Sequence, residues 1–327
     1  MNSSKTWLVT GVAGFIGSHL LETLLKQGQK VIGLDNLSIG KMETLNAALR
    51  YIPSEKAQNF SFVKGDIRDY KTCHEVTKKT DYVLHQAALG NVPLSIEDPL
   101  LVNEVNVTGF LNILRASQEN NVSRFVYASS SAVYGDSQNR PNQEDTLGQA
   151  LSPYAVSKRT NELYGQVFHQ CYGLSTIGLR YFNVFGPRQS PQGAYAAVIP
   201  LWIKALLNKQ TCYINGDGLT TRDFCYIDNI IQANIKAALT QNSKAFGDVF
   251  NIALGKQTSL LELYTFLKTH LNLGEDIPPL YRKERPGDIK HSFASIEKAK
   301  DILNYDPSWA LEDGLKITMD WFKSQKR

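Results

Sequence analysis

Three glycines at intervals of three, Gly11, Gly14 and Gly17, separate a short apolar run, Thr6–Val9, from SHLLETLLKQG, whose apolar residues recur at helical spacing. Few turns use such a pattern. Glycine lets a backbone bend sharply, approach a pyrophosphate closely and pack a helix against a strand, with the anion at the helix N-terminus. Strand, glycine turn and helix in that order predict the first unit of a dinucleotide fold, and Gly28 closes the helix. A second apolar run, KVIGLD, ends in Asp35, about 20 residues past the last glycine, where a carboxylate binds the adenosine ribose hydroxyls. That carboxylate repels a 2′-phosphate, and no arginine follows in Asp35-Asn36-Leu37-Ser38, so NAD is expected rather than NADP. A ligand-free glycine turn is the plain alternative. The second strand and its acid, falling in order, argue against it.

Further strand-like runs follow in NFSFVKGDI, DYVLHQAA and RFVYASSS, separated by helical stretches such as DPLLVNEVNVTGFLNILRASQENN. Alternating strand and helix predicts an α/β fold, a Rossmann-type doubly wound parallel sheet. Ligands of such sheets sit at the carboxyl ends of the strands, which here carry Asp66, Ala87, Ala88 and Ser129 to Ser131. At 327 residues the chain exceeds one typical domain. Residues 1–185 are expected to form the dinucleotide domain and 186–327 a smaller C-terminal α/β substrate domain, with segments around 223–253 returning to the first. A net charge of +4 with scattered lysines gives no footprint for nucleic acid. The four cysteines show no CxxC spacing and no secretory signal precedes them, so reduced thiols, no metal site and a cytoplasmic protein are expected. No apolar stretch approaches the ~20 residues of a membrane span.

Tyr154 and Lys158, in SPYAVSK, stand one helical turn apart on one face. An ammonium at about 5 Å in an effective dielectric of ~20 favours the phenolate by ~3 kcal/mol, or ~2 pK units. Such a tyrosine takes a proton from an alcohol near neutral pH. With 15 tyrosines in the chain the spacing also arises by chance, and Tyr264 with Lys268 repeats it in a helix that reads as a mixed surface without partner chemistry. Context separates the two pairs. Ser152 and Pro153 read as an N-cap and first helical residue, which places Tyr154 in the first turn of a helix running to Gly173.

This arrangement, a glycine turn near the N-terminus, a serine run after the fifth strand and YxxxK on the next helix, resembles the extended short-chain dehydrogenase/reductase superfamily over essentially the whole chain. The resemblance implies that Tyr154 is the acid/base, that Lys158 lowers its pKa and binds the nicotinamide ribose, and that Ser130 hydrogen-bonds the reacting sugar hydroxyl. Burial opposes the phenolate, so the positive nicotinamide ring is expected to supplement the lysine. The implied cofactor set is Gly11, Gly14, Phe15, Ile16, Gly17, Asp35, Asn36, Asp66, Ile67, Ala87 and Ala88, together with Tyr154 and Lys158. Members that eliminate water carry Thr-Asp-Glu around the catalytic serine position, and decarboxylating members a glutamate at the position of Ala132. Neither carboxylate is present. What remains is oxidation and re-reduction of one alcohol, which is 4-epimerisation of a nucleotide sugar.

In the second half, RYFN resembles the segment whose asparagine, here Asn183, contacts the diphosphate. Tyr213 and Asn215 fall in a segment like the uracil-binding strand, Arg222 where a phosphate-binding arginine is expected, and Arg285 with Asp288 in an RxGD element that grips phosphate and ribose. Arginine suits a diphosphate through its planar fork. A plain hairpin turn explains GDG equally well. QAALGNVP, SSSAVYG, FGPRQSPQGAYAAVIP and DIKHS resemble bacterial UDP-N-acetylglucosamine 4-epimerases of polysaccharide synthesis, in which Gly90, Ser131, Asn183, Gln189, Ala197 and Ser292 would wall the sugar pocket. Ser292 stands where epimerases of unsubstituted hexoses carry a tyrosine, which leaves room for a 2-acetamido group. Asn91 departs from the serine expected beside Gly90, so a hexosaminuronate or UDP-glucose/galactose remains open as substrate. A catalytically silent NAD-binding sensor is the rival of a different class, and the joint presence of Ser130, Tyr154 and Lys158 argues against it. The helices from Pro99 to Ser117 and from Pro153 to Tyr172 resemble those that pair in a homodimer.

Overall fold

A computed structural model describes residues 4–192, 196–271, 277–284 and 290–325. Six strands of the first part, β1 (Thr6–Thr10), β2 (Lys30–Asp35), β3 (Phe60–Lys64), β4 (Tyr82–His85), β5 (Arg124–Ser130) and β6 (Thr176–Tyr181), are short runs rich in β-branched and aromatic residues. After the two-residue β7 (Val184–Phe185), β8 (Tyr213–Asn215), β9 (Thr221–Arg222) and β10 (Cys225–Tyr226) precede β11 (Asp248–Ile252), and β12 (Thr258–Ser259), β13 (Leu280–Arg282) and β14 (His291–Ser292) complete the set.

The central sheet has seven strands in the order β11-β6-β5-β4-β1-β2-β3, and every pairing in it is parallel. Parallel strands need crossover helices, and helices on both faces leave the strands buried and apolar throughout. All six residues of β6 are buried accordingly. Trp7 and Val9 of β1 point into one core with Leu21, Leu24 and Ile230, while Leu8 points into the other with Phe110, Ile113 and Tyr127. The strand order reverses between β1 and its neighbours β2 and β4, which opens a crevice above their carboxyl ends.

The helix Pro153–Tyr172 behaves as its ends dictate. Ser152 accepts from Ala155 N–H at 3.1 Å, Pro153 opens the first turn, and Gly173 closes it at φ +71°. The helical run after Asp98 contains a π-helical turn, Glu104–Thr108, which sequence periodicity did not signal. Beyond β7 the elements shorten. β12, β9 and β14 form a three-stranded ladder, β8 pairs with β13, and β11 returns to the edge of the central sheet. Tyr264 lies in the core rather than on a mixed surface, since its ring packs edge-on against Trp202 at 5.9 Å and its hydroxyl donates to the Ile277 carbonyl. Among the described residues no helix is long and apolar enough to cross a membrane.

Candidate active site

The glycine turn is built by close approach. Gly11 holds φ +69°, and a Cβ there would lie 2.8 Å from Ala87 N, whereas a Cβ on Gly17 would fall 2.1 Å from the Gly11 carbonyl oxygen. No side chain fits at either position. Gly14 caps the helix Phe15–Lys26 without a side-chain hydrogen bond, leaving its first N–H groups facing the crevice. An open crevice is lined by Gly11, Gly14, Asp35, Asn36, Asp66, Ile67, Ala87 and Ala88, so eight of the expected cofactor residues meet around one space. Phe15, Ile16 and Gly17 begin the adjoining helix.

Asp35 ends β2 with Oδ2 accepting from Ala13 N–H at 2.9 Å and Oδ1 from Leu37 N–H at 2.8 Å. Each carboxylate oxygen retains a lone pair for a ribose hydroxyl. Burial raises its pKa, and the two backbone donors oppose the rise. Asp66 is bound by Arg68 and by Asn36 Nδ2, both at 2.8 Å, and chiefly the Arg68 hydrogen bond holds it down to about 2. The donor set fits an adenosine ribose and a pyrophosphate, the chemistry of NAD.

Ser130 is the last residue of β5, and its hydroxyl accepts from Ala132 N–H at 3.1 Å, capping the short 3-10 turn Ser131–Tyr134. Tyr154, half-buried on the facing helix, faces Ser130 closely enough for the serine hydroxyl to act on its phenol pKa. Lys158 lies below, with Nζ 6.0 Å from the centre of the Tyr154 ring and donating to the Ala128 carbonyl at 2.9 Å. The three expected catalytic residues are therefore neighbours. Electrostatics differ from the spacing argument, however. Burial pushes the Tyr154 phenol above its ordinary value, and the Ser130 hydrogen bond, not Lys158, opposes the rise. Burial also brings Lys158 down to about 8, with Glu162 supporting its charge. Lys158 gives one of its three donors to Ala128, and burial weakens its charge, so the lysine alone does not bring the phenol down as the spacing argument expected.

What the sequence reading missed is the polar cluster behind this pair. Glu162, one turn past Lys158 and buried, accepts from Ser129 Oγ at 2.6 Å, from Arg180 Nε at 2.7 Å and Nη2 at 2.9 Å, and from Arg159 Nη1 at 2.8 Å. Burial raises the Glu162 pKa, but the Arg180 bonds outweigh it and keep the carboxylate below its ordinary range. Arg180, also fully buried, extends the network to the Tyr134 hydroxyl at 2.9 Å and the Glu144 carbonyl at 2.8 Å. The i, i+4 step from Lys158 to Glu162 was a readable signal. Its partner on β6 was not.

The expected sugar and nucleotide residues spread over several segments. Gly90 faces open space, with nothing within 4 Å of a Cβ placed there. Asn91 beside it is the N-cap of the helix Val92–Glu97, its Oδ1 accepting from Leu94 N–H at 2.9 Å. Asparagine and serine cap helices about equally, so this departure has a local explanation. Ser131 starts the 3-10 turn, and Asn183 sits exposed between β6 and β7 at φ +25°. Gln189 donates to the Val184 carbonyl at 3.1 Å, and Ala197 is the exposed N-cap residue of the helix Val198–Leu207. Tyr213 and Asn215 lie on β8, where the Arg282 guanidinium covers the Tyr213 ring at 3.3 Å. Arg222 and Ser292 are register partners across β9 and β14. Arg285 and Asp288 lie outside the described residues.

Residues 7–253 match the family described as NAD dependent epimerase/dehydratase. A solved structure of the UDP-N-acetylglucosamine 4-epimerase from Methanobrevibacter ruminantium M1, in complex with UDP-N-acetylmuramic acid, is 41% identical and superposes with a TM-score of 0.91, covering 99% of each chain. The UDP-glucuronic acid 4-epimerase from Bacillus cereus, solved with UDP-glucuronic acid and NAD, is 32% identical at a TM-score of 0.87 over 98% of this chain and 99% of that one. The UDP-glucose 4-epimerase of Mycolicibacterium smegmatis is 34% identical over 98% of this chain and 99% of its own. With its glycine cradle, its Ser130, Tyr154 and Lys158 cluster and these likenesses along its whole length, the chain belongs to the NAD dependent epimerase/dehydratase family of extended short-chain dehydrogenases/reductases.

Proposed function

We propose that this UDP-sugar 4-epimerase interconverts UDP-N-acetylglucosamine and UDP-N-acetylgalactosamine. The observation that carries the reading is the end of β5, where Ser130 meets Tyr154 and Lys158 while Ala132 withholds the extra carboxylate of elimination or decarboxylation. Bound NAD would supply the oxidation of C4 and its re-reduction from the opposite face. Tyr154 takes the proton from O4 and later returns it; Ser130 orients O4 by hydrogen bonding. Lys158 offers its ammonium toward the nicotinamide ribose, and Gly11, Gly14 and Asp35 hold the pyrophosphate and adenosine ribose. Between the two half-reactions the keto sugar turns over on its diphosphate tether, which Asn183 and Arg222 grip. Residues 1–185 together with β11 serve the cofactor, and most of 186–327 serves the UDP-sugar.

The N-acetyl preference is supported by Ser292 opposite Arg222 and by open space at Gly90. Both sugars named for the M. ruminantium structure carry a 2-acetamido group. A hexosaminuronate is the second reading, since relatives named UDP-glucuronate 4-epimerase reach 35% identity. The test is NMR of UDP-N-acetylglucosamine incubated with purified protein and no added cofactor. The galacto isomer should appear. A competing uronate that is inverted faster would reverse the order of the two readings, and no turnover on any UDP-sugar would leave an NAD-binding sensor. Exposed Leu100, Val156, Leu163 and Val167 on the Pro99–Asn103 and Pro153–Tyr172 helices support a homodimer, which sedimentation equilibrium tests.

A further inference from the structure

Asp223, immediately after β9, is fully buried, and its carboxylate gathers backbone donors from two distant segments. Oδ1 accepts from Leu254 N–H at 2.9 Å, and Oδ2 accepts from Gly255 N–H at 3.0 Å and from Ala294 N–H at 3.3 Å. Leu254 and Gly255 form the turn that leaves β11 and leads into β12, with Gly255 at φ +76°. Ala294 lies two residues past Ser292, the end of the strand that pairs with β9. The carboxylate thus knots the end of the β12-β9-β14 ladder, one residue after Arg222. The other titratable groups facing it are the Cys225 thiol on β10 and the Tyr305 hydroxyl.

The choice of residue is informative. A carboxylate accepts about four hydrogen bonds and donates none, whereas an amide offers one oxygen and adds two donors of its own. Two carboxyl oxygens can take N–H groups converging from two segments, where an amide has one oxygen to offer. Burial without a charged partner is costly, and it raises Asp223 to about 7 against the pull of those N–H groups. A residue serving packing alone would be apolar at less cost.

We infer that Asp223 is a positioning residue for the UDP-sugar, holding Arg222 against the Ser292 strand so that the diphosphate and the sugar's C2 side are read by one rigid unit. This rests on the proposed reading of β9 and β14 as substrate elements. None of the hydrogen-bond partners given for the Asp223 carboxylate belongs to the cofactor cradle or the Tyr154 cluster, so the two functions are separable.

The experiment compares Asp223→Asn with the wild-type holoenzyme by calorimetry with UDP, by KM and kcat on UDP-N-acetylglucosamine, and by NAD released on denaturation. The expected result is a rise of about tenfold or more in the UDP Kd and in KM, as for loss of charged hydrogen bonds, with kcat within about twofold and NAD content unchanged. Unchanged Kd and KM would overturn the inference. A parallel fall of kcat and NAD content would also overturn it, since that marks general structural damage. If wild-type protein fails to bind UDP, the functional reading itself falls; if it binds UDP and the variant binds equally, only the role of Asp223 falls. Should Asp223→Asn not accumulate folded, Ala294→Pro removes one donor and keeps the carboxylate. It must raise the UDP Kd several-fold, and an unchanged Kd overturns the inference.

Discussion

β5 spans seven residues and is paired on both edges within the central sheet, whereas β9 spans two and belongs to a three-stranded ladder of two-residue strands. Both present proposed site residues at their ends. The first places Ser130 by continuous backbone pairing, with an apolar core on each face. The second places Arg222 and Ser292 by a register of two residues and a buried carboxylate. The difference teaches where tolerance lies. Proton transfer needs sub-ångström placement, which long parallel pairing supplies, while recognition elements on short strands are held by single polar knots. Substitutions should therefore separate the two regions, with kcat governed by one and KM by the other.

The sharpest separation comes from Tyr154→Phe. It deletes the proposed O4 proton acceptor while preserving shape, so kcat should fall by about 10³-fold with NAD content intact. Near wild-type turnover in the NMR assay would remove Tyr154 from the mechanism. Next in size, Glu162→Gln leaves Arg180 buried with its charge uncompensated, and stability should drop by about 3–5 kcal/mol in urea unfolding. A loss below about 1 kcal/mol would mean that the cluster behind β5 is not its support. On the other side, Ser292→Tyr should lower kcat/KM for UDP-N-acetylglucosamine by about tenfold or more and spare UDP-glucose. An equal loss on both would make the position structural rather than selective.

A pH test reaches the knot directly. Asp223 is raised from 3.8 to about 7, so the native state binds its proton more tightly than the unfolded chain between those values. The stability it contributes is full below about pH 4 and is lost as pH rises through about 7, with a slope of at most about 1.4 kcal/mol per unit. Melting temperatures of Asp223→Asn should lack that part of the slope. Parallel curves for the two proteins would contradict the assignment. The smallest effect is expected for Asn91→Ser, a swap between good N-caps, with stability within about 0.5 kcal/mol and an unchanged preference between acetylated and plain sugars.

Much of the cofactor side was legible because its signals are local. Gly11, Gly14 and Gly17 are required where backbone meets backbone, and Asp35 ends a strand that its own apolar pattern announces. Tyr154 and Lys158 share a helix whose cap and stop residues are adjacent in sequence. The proposed substrate side was legible only by resemblance, since two-residue strands carry no periodicity and Asn183, Arg222 and Ser292 come from separate segments. Tyr264 and Lys268 show the limit of spacing alone. The same four-residue step there serves the core, because Trp202 and the Ile277 carbonyl, not a cofactor crevice, surround the phenol.

The sequence by itself determined the parallel sheet, the glycine cradle and which tyrosine and lysine share a helical face, since backbone sterics and helical period act within a few residues. Tertiary structure alone decided the protonation balance of that pair and the partners of Glu162, Arg180 and Asp223. Those depend on burial and on donors brought from 18 to 71 residues away. Desolvation raises the value of each such contact, and no local pattern encodes which distant N–H or carboxylate will be there to make it.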